Sequence, residues 1–506
     1  MDSETESAPA EEQMDSHIER GLRWAAIRQV VLFVVGTAGI LAYTRSLGPE
    51  GIGRFSIAFF VYGALRAVAQ APFRDAVVYY RKEIYSHAVF ICLMVFGVLA
   101  IGLTLLAAPL IAAYYESPET VMLIRVICVM FFFYSLSVVP AALLLKTFRF
   151  DYHETLLAVS EVVFTGVVIF LLWLGWDVWA LAIAHVARAA FWAAASWWAA
   201  GYTPRWVTDW PIYKDILGYS GSLMGSEIIS YVNGNADNAA VGTLGEKYLG
   251  LYTFGENNSS FMVLGIGLPI SQITLPALAA VRHKADQFRK VFSEMIRLAS
   301  IISTPGHIGA WLLADYIIVV FFGVDWLEAL WVIRAYFTFR MFNTLLTISN
   351  VAVSAYGRPD LRLKQDMVQL PLFLGGIWLG LNVWGTIEAV AWVLVAVRIT
   401  MAFFYFGLTV YFTPITWGGT WATLRPSVLS GFLLGGFIFL ARFLNPLSFA
   451  EPTTLMTALI PLLVYTLLGI GGYVLVYYWL DPAGFREVVA LGRRTIGRKQ
   501  QKEPAN

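Results

Sequence analysis

Leu47-Gly48-Pro49-Glu50-Gly51-Ile52-Gly53-Arg54-Phe55-Ser56 returns 197 residues later as Leu244-Gly245-Glu246-Lys247-Tyr248-Leu249-Gly250-Leu251-Tyr252-Thr253. Both stretches read L-G-x-x-x-[IL]-G-x-[FY]-[ST]. Each joins a long apolar segment before it to another behind it. The spacing therefore predicts a chain built of two related halves, with the repeat marking the same turn in each.

The apolar segments set the class. Of 506 residues, 58% are hydrophobic and 14% charged, and the mean hydropathy is +0.67. A water-soluble surface must be largely polar, so this composition excludes a soluble domain and predicts an all-α polytopic membrane protein. The net charge of +1 says nothing by itself, and no nucleic-acid partner is expected. Cys92 and Cys128 both lie in apolar segments, which argues against a disulfide framework or a metal site. Residues 1–19 are polar and acidic and lack the basic start of a signal peptide. They read as a disordered cytoplasmic leader.

A membrane-spanning helix needs about 20 apolar residues. Apolar runs divided by charge and turn signals give about fourteen: 24–46, 55–78, 87–114, 120–146, 155–176, 178–200, 214–242, 248–280, 288–321, 327–356, 362–383, 386–411, 425–446 and 455–480. Pro269, Pro276 and Pro305 are candidate kinks. With residue 1 in the cytoplasm, about 22 Lys and Arg fall on the inner side. The outer side keeps only Arg45, Arg54, Lys247 and Arg442. That asymmetry obeys the positive-inside rule and predicts an inner (plasma) membrane protein with both termini cytoplasmic.

The 197-residue offset maps segment 1 onto 7 and segment 2 onto 8. Phe148-Arg149-Phe150 after segment 4 and Leu361-Arg362-Leu363 after segment 10 are a weaker echo. Two parallel six-helix lobes are expected, at 20–205 and 206–415, pseudo-symmetric around a central cavity. Two further helices at 416–482 and a basic cytoplasmic tail at 483–506 complete the chain. Gly431, Gly435, Gly469, Gly471 and Gly472 suit close helix packing in the added pair. A duplicated helical bundle in lipid is the ground plan of many secondary transporters.

Apart from the Lys and Arg at the span ends and Arg442, which is counted to the outer side, nine basic residues fall inside the spans, and all are arginine: Arg28, Arg66, Arg74, Arg125, Arg188, Arg297, Arg334, Arg340 and Arg398. A charge at mid-bilayer costs at least about 2.5–3.5 kcal/mol, so it must face a wet cavity or a partner. The guanidinium fork matches phosphate oxygens two at a time. Arg28, Arg66, Arg74, Arg340 and Arg398 are therefore the candidate residues for an anionic diphosphate. Arg66, Gln70 and Arg74 recur every four residues and share a helix face. Segment 7 carries a polar stripe of Ser222, Ser226, Ser230, Asn233 and Asp237, which segment 8 continues with Glu256 and Asn257. Gln70, the three serines, Asn233 and Asn257 are candidates for sugar hydroxyls. Glu161, Glu227, Asp237, Glu256 and His185 are candidates for coupling to H⁺ or Na⁺. Helix-to-helix hydrogen bonds and Arg–acid ion pairs are the structural alternative for every one of these.

The segment Arg45 to Phe55, the run Asn235-Ala236-Asp237-Asn238-Ala239-Ala240-Val241-Gly242 before the second repeat, and Gly357-Arg358-Pro359-Asp360 resemble the polysaccharide transporter family. These are the Wzx-type lipid-linked oligosaccharide flippases of the multidrug/oligosaccharidyl-lipid/polysaccharide superfamily. The resemblance implies two six-helix lobes with alternating access. It also implies a polyprenyl-diphosphate-linked oligosaccharide as cargo, turned from the cytoplasmic to the outer leaflet for surface polysaccharide synthesis. It implies an ion gradient as the driver, membrane lipids as surroundings, and a glycan polymerase and export machinery as candidate partners. It does not transfer the cavity arginines, which vary in position across the family. A lipid II flippase or a multidrug antiporter of the same superfamily is the near alternative, and a membrane glycan polymerase a more distant one. No G-x-x-x-x-G-K-[ST] loop occurs, so neither ATP drive nor any cofactor is expected, and the short outer connections argue against an enzyme.

Overall fold

The computed structural model describes residues 8–259, 274–358, 360–444, 454–482 and 484–486. Residues 1–7, Pro269, Pro359 and the basic tail from 487 onward lie outside the described residues. Among the described residues the fold is all helix. It begins with α1 (Ala8–Tyr79), α2 (Glu83–Tyr114), α3 (Thr120–Lys146), α4 (Phe150–Trp173), α5 (Asp177–Ala200), α6 (Trp210–Val241) and α7 (Glu246–Asn258). It continues with α8 (Ala285–Leu312), α9 (Ala314–Phe321), α10 (Leu330–Ala355), α11 (Asp360–Leu379), α12 (Ile387–Phe412), α13 (Trp417–Leu444) and α14 (Leu455–Leu480).

Helical backbone reaches back to Ala8, into the stretch expected to be disordered. The repeat breaks the helices where the sequence places a turn. Gly48 takes φ 63° and ψ −177°, which divides α1 into two limbs. Pro49 opens the second limb, where the missing N–H has no helical partner to lose. In the second copy Gly245 stands at φ 118° after a short 3₁₀ turn at Gly242–Leu244. Both positive φ values suit glycine.

Nine helices among the described residues are long and apolar enough to cross a membrane. The bent pair α8–α9, turned by 78°, makes ten. The count of about fourteen is thus not reached on apolarity. α1 is counted once although it has two limbs, α6 carries the Ser/Asn/Asp stripe, α10 carries Arg334 and Arg340, and most of 259–280 lies outside the described residues. The sharp bend falls at Leu313, between α8 and α9, and Pro305 sits inside α8.

The chain packs as two compact units that divide between Thr253 and Phe254. The division comes well after residue 205, because α6 and most of α7 pack with the first unit. In that unit the second limb of α1 shares a core with α3, α4 and α5 through Phe55, Tyr62, Phe131, Phe164 and Leu181. In the second unit one core joins α8, α10 and α12 through Phe292, Ile296, Ile348 and Phe406. A second core joins α8 and α9 to α13 and α14 through Tyr316, Leu434, Tyr465 and Tyr473.

Candidate functional site

In the first unit the register of two helices sets the site. Tyr231 Oη donates to the carbonyl of Phe60 at 2.6 Å, and Ser220 Oγ to that of Pro72 at 3.4 Å. The second limb of α1 and α6 thus run antiparallel, with Phe60 level with Tyr231 and Pro72 level with Ser220. Midway between these ties, Arg66 stands level with Gly225 and Ser226, one residue before Glu227. Arg66, Ser222, Ser226, Glu227 and Ser230 are all exposed. Inside a membrane-spanning bundle an exposed face of Arg, Glu and Ser faces water, because hydrocarbon would leave every one of these groups unsatisfied. Neither Arg66 nor Glu227 makes an ion pair among the described residues.

The other candidates of this unit are tied down. Arg28 pairs with Glu154 at 3.0 Å. Arg74 pairs with its neighbour Asp75 at 3.0 Å and is exposed. Glu161 is buried against Arg188 at 3.1 Å. Asp237 is buried and accepts from Tyr252 Oη at 2.9 Å and from the Asn238 backbone N–H at 3.0 Å. His185 packs among the rings of Phe55, Phe59 and Phe164, with centroids 4.5–5.3 Å away. Gln70 and Asn233 are buried, and the Ser222 hydroxyl donates to the Tyr219 carbonyl. The polar stripe of segment 7 is therefore two things: an exposed serine and glutamate face in its first half, and a buried structural end.

In the second unit Arg398 lies 3.8 Å from Glu256, with both side chains nearly buried. Its guanidinium stands 5.0–5.6 Å from the ring centroids of Tyr336, Phe339 and Phe373. Arg340 lies against Phe339 at 5.7 Å and within electrostatic reach of both Glu256 and Arg398. Two guanidiniums thus gather around one carboxylate in an aromatic setting, and Asn257 is exposed beside Glu256.

Sequence reasoning missed a correspondence that the helix starts expose. Gly175 and Gly385 both have positive φ and precede α5 and α12. Arg188 stands eleven residues after Asp177, and Arg398 eleven after Ile387. Each pairs with a glutamate. The signal was an offset of 210 residues, which the 197-residue repeat hides. Arg54 was also missed. It pairs with Glu246 at 3.0 Å and with Glu119. Glu246 in turn accepts from the Ser117 hydroxyl.

The class this defines is a multi-pass helical bundle whose helices are long and apolar enough to cross a membrane and carry exposed and aromatic-caged arginines among them. A family model described as "Polysaccharide biosynthesis protein" matches residues 40–331, and the chain belongs to that family. It is 24% identical over 302 residues to the teichuronic acid biosynthesis protein TuaB of Bacillus subtilis (strain 168), covering 59% of this chain and 62% of that protein. It is 22% identical over 316 residues to the succinoglycan biosynthesis transport protein ExoT of Rhizobium meliloti (strain 1021), covering 62% of this chain and 64% of that protein. The matches thus span somewhat less than two thirds of either relative. Among solved structures, the lipid II flippase MurJ in an inward closed conformation superposes with a TM-score of 0.73 at 14% identity, over 90% of this chain and 98% of that one. At that identity the likeness concerns the fold.

Proposed function

We propose that the chain is a flippase. It moves a polyprenyl-diphosphate-linked oligosaccharide from the cytoplasmic to the outer leaflet of the inner membrane for surface polysaccharide biosynthesis, and it acts as a carrier with no enzymatic step. Membership of the polysaccharide biosynthesis family supports the pathway. The observation that carries the reading is Arg66: exposed within a spanning segment, level with Ser226 and close to Glu227 along the facing helix, and without an ion pair among the described residues. A guanidinium in that position suits a diphosphate, and the adjacent serines suit sugar hydroxyls. Arg340 and Arg398 offer a second cationic patch in the other unit. The two sequence halves act as the lobes of an alternating-access cycle, with both termini cytoplasmic. Glu227, exposed and unpaired among the described residues, is the acid best placed to carry a coupling proton or bind Na⁺.

Deletion of the gene is expected to leave one lipid-linked oligosaccharide accumulating in the inner leaflet, and mass spectrometry of extracted lipids would read its sugars. Arg66→Ala is expected to reproduce that accumulation while the protein still reaches the membrane. Arg66→Lys keeps the charge without the fork and is expected to recover only part of the export. Normal surface glycan in Arg66→Ala would remove Arg66 from the cargo path. Normal lipid-linked sugars in the deletion would overturn the flippase reading itself.

A further inference from the structure

Four tyrosines gather where the α1–α2 turn meets the start of α6 in the first unit. The Tyr80 ring stacks on Tyr85, with centroids 4.1 Å apart and planes 9° apart. The Tyr79 ring stacks on Tyr219 at 4.6 Å and 18°. Tyr80 meets Tyr79 and Tyr219 edge-on, at 5.0 and 5.9 Å. Two hydroxyls fix the cluster to one residue of α6. Tyr85 Oη donates to Asp215 Oδ2 at 2.9 Å, and Tyr80 Oη to the Asp215 carbonyl at 3.2 Å. Lys146 Nζ donates to the Tyr80 carbonyl at 2.7 Å and holds the turn from α3.

Tyrosines at a membrane edge ordinarily turn their hydroxyls to the headgroups. Here two of them turn to α6, which makes the pile a built surface. It leaves a ring and a carboxylate free. Tyr79 is 63% exposed, so its stack on Tyr219 leaves most of the side chain uncovered. Asp215 is exposed, its Oδ1 accepts no hydrogen bond, and the carboxylate makes no ion pair among the described residues. At about 100° per residue, Asp215 and Tyr219 fall with Ser222, Ser226 and Ser230 within an arc of about 80° on α6. The cluster therefore continues the exposed serine face to the end of α6 that the charge asymmetry puts in the cytoplasm.

These groups select a ligand. A sugar ring has a face of C–H bonds that lies flat on an aromatic ring, and rim hydroxyls that donate in pairs to a carboxylate. A phosphate is repelled by Asp215. A cation is disfavoured by Arg81, Lys82 and Lys214, which flank the cluster along the chain and are all exposed. A lipid tail would desolvate Asp215 and offer it no donor.

We propose, resting on the flippase reading, that Tyr79, Tyr219 and Asp215 form a subsite for a neutral, hydroxylated sugar ring of the cargo. The glycan is held there, at the cytoplasmic end of the α6 face, while Arg66 serves the diphosphate deeper in the membrane.

The test titrates the purified full chain in phosphatidylcholine nanodiscs with two soluble probes. One is the oligosaccharide released by mild acid from the lipid that accumulates in the deletion strain. The other is farnesyl diphosphate, which carries no sugar. Tyr79→Leu keeps an apolar side chain and loses the ring. It is expected to weaken oligosaccharide binding several-fold and leave farnesyl diphosphate binding unchanged. Asp215→Asn is expected to do the same, and Tyr79→Phe, which keeps the ring, to bind both probes as the wild type does. Arg66→Ala is expected to show the reverse pattern, with farnesyl diphosphate binding lost and oligosaccharide binding kept. Undiminished oligosaccharide binding in Tyr79→Leu and Asp215→Asn overturns the subsite and leaves the flippase reading standing. So does a wild type that binds farnesyl diphosphate and not the oligosaccharide. Equal loss of both probes in Tyr79→Leu marks a structural role and overturns the subsite as well. A deletion strain that accumulates no lipid-linked oligosaccharide overturns the flippase reading, and the subsite falls with it.

Discussion

Gly53 and Gly250 occupy the same position in the two copies of the repeat, and each packs against the backbone of the other copy. A Cβ on Gly53 would stand 1.7 Å from the carbonyl oxygen of Glu246, and a Cβ on Gly250 1.8 Å from that of Pro49. Pro49 and Glu246 are themselves equivalent positions. One turn further on, Ser56 and Thr253 are equivalent again, and their hydroxyls lie 3.4 Å apart. The contact therefore obeys a local two-fold relation, and only a residue without a side chain permits it. Close approach of this kind accounts for the packing of α6 and α7 with the first unit.

Gly53→Ala and Gly250→Ala should each open this contact. The nearest neighbours are backbone atoms of Glu246, Gly250, Pro49 and Gly53, and no flexible side-chain tip is there to swing aside. Overpacking of this kind costs about 1–3 kcal/mol per substitution. Because both glycines serve one contact, the double variant should lose less than the sum of the singles. Thermal unfolding of the detergent-purified variants checks both statements, and additive losses would show that the two glycines act separately.

Arg54 holds the same region with two carboxylates of unequal worth. Glu246 is 19% exposed and also accepts from Ser117, whereas Glu119 is 72% exposed. An exposed ion pair is worth about 0–1 kcal/mol and is screened by salt. Glu119→Gln should therefore leave export and thermal stability near wild type. Glu246→Gln should lower both, and the difference should persist at high ionic strength. Equal effects of the two substitutions would place the weight on Arg54 alone.

Much of this arrangement is legible in the chain, and some is not, for physical reasons. The repeat locates both helix breaks, since glycines at Gly48 and Gly245 take the positive φ that the turns require. Apolar runs locate the helices. Periodicity alone cannot say whether a polar face meets water or another helix, and this is where the site reading divides. Arg28, Glu161 and Asp237 found partners on other helices, Glu154, Arg188 and Tyr252. Those pairings depend on tertiary register, which a face pattern does not carry. Arg66 and Glu227 are exposed and make no ion pair among the described residues.

Glu227→Gln removes the charge and keeps the shape. If Glu227 carries the coupling proton or binds the coupling cation, the variant should export glycan slowly and lose its response to an imposed ion gradient. Glu161→Gln should instead act through stability, because it leaves the half-buried Arg188 with no ion-pair partner. Export measured in inverted vesicles with imposed H⁺ or Na⁺ gradients, alongside thermal unfolding, separates the two. An undiminished gradient response in Glu227→Gln would rule that residue out of coupling.

Arg442 counts among the few basic residues expected on the outer side, and it lies buried against Asp315 in a two-pronged pair, at 3.1 and 2.6 Å. It also donates to the carbonyl of Leu312 at 2.5 Å, at the end of α8 where the chain bends by 78° into α9. The arginine thus satisfies a helix-end carbonyl that the bend leaves without its own N–H. Asp315→Asn keeps the size and removes the charge, so a guanidinium would remain buried without its counter-ion. Breaking such a pair from one side costs about 3–5 kcal/mol, whereas apolar replacement of both partners is often neutral or stabilising. The double variant Asp315→Leu, Arg442→Met should therefore unfold at a higher temperature than Asp315→Asn in detergent. It should still fall short of the wild type, because the Leu312 carbonyl loses its donor. A double variant less stable than the single would mean that the pair contributes net stability in its own right.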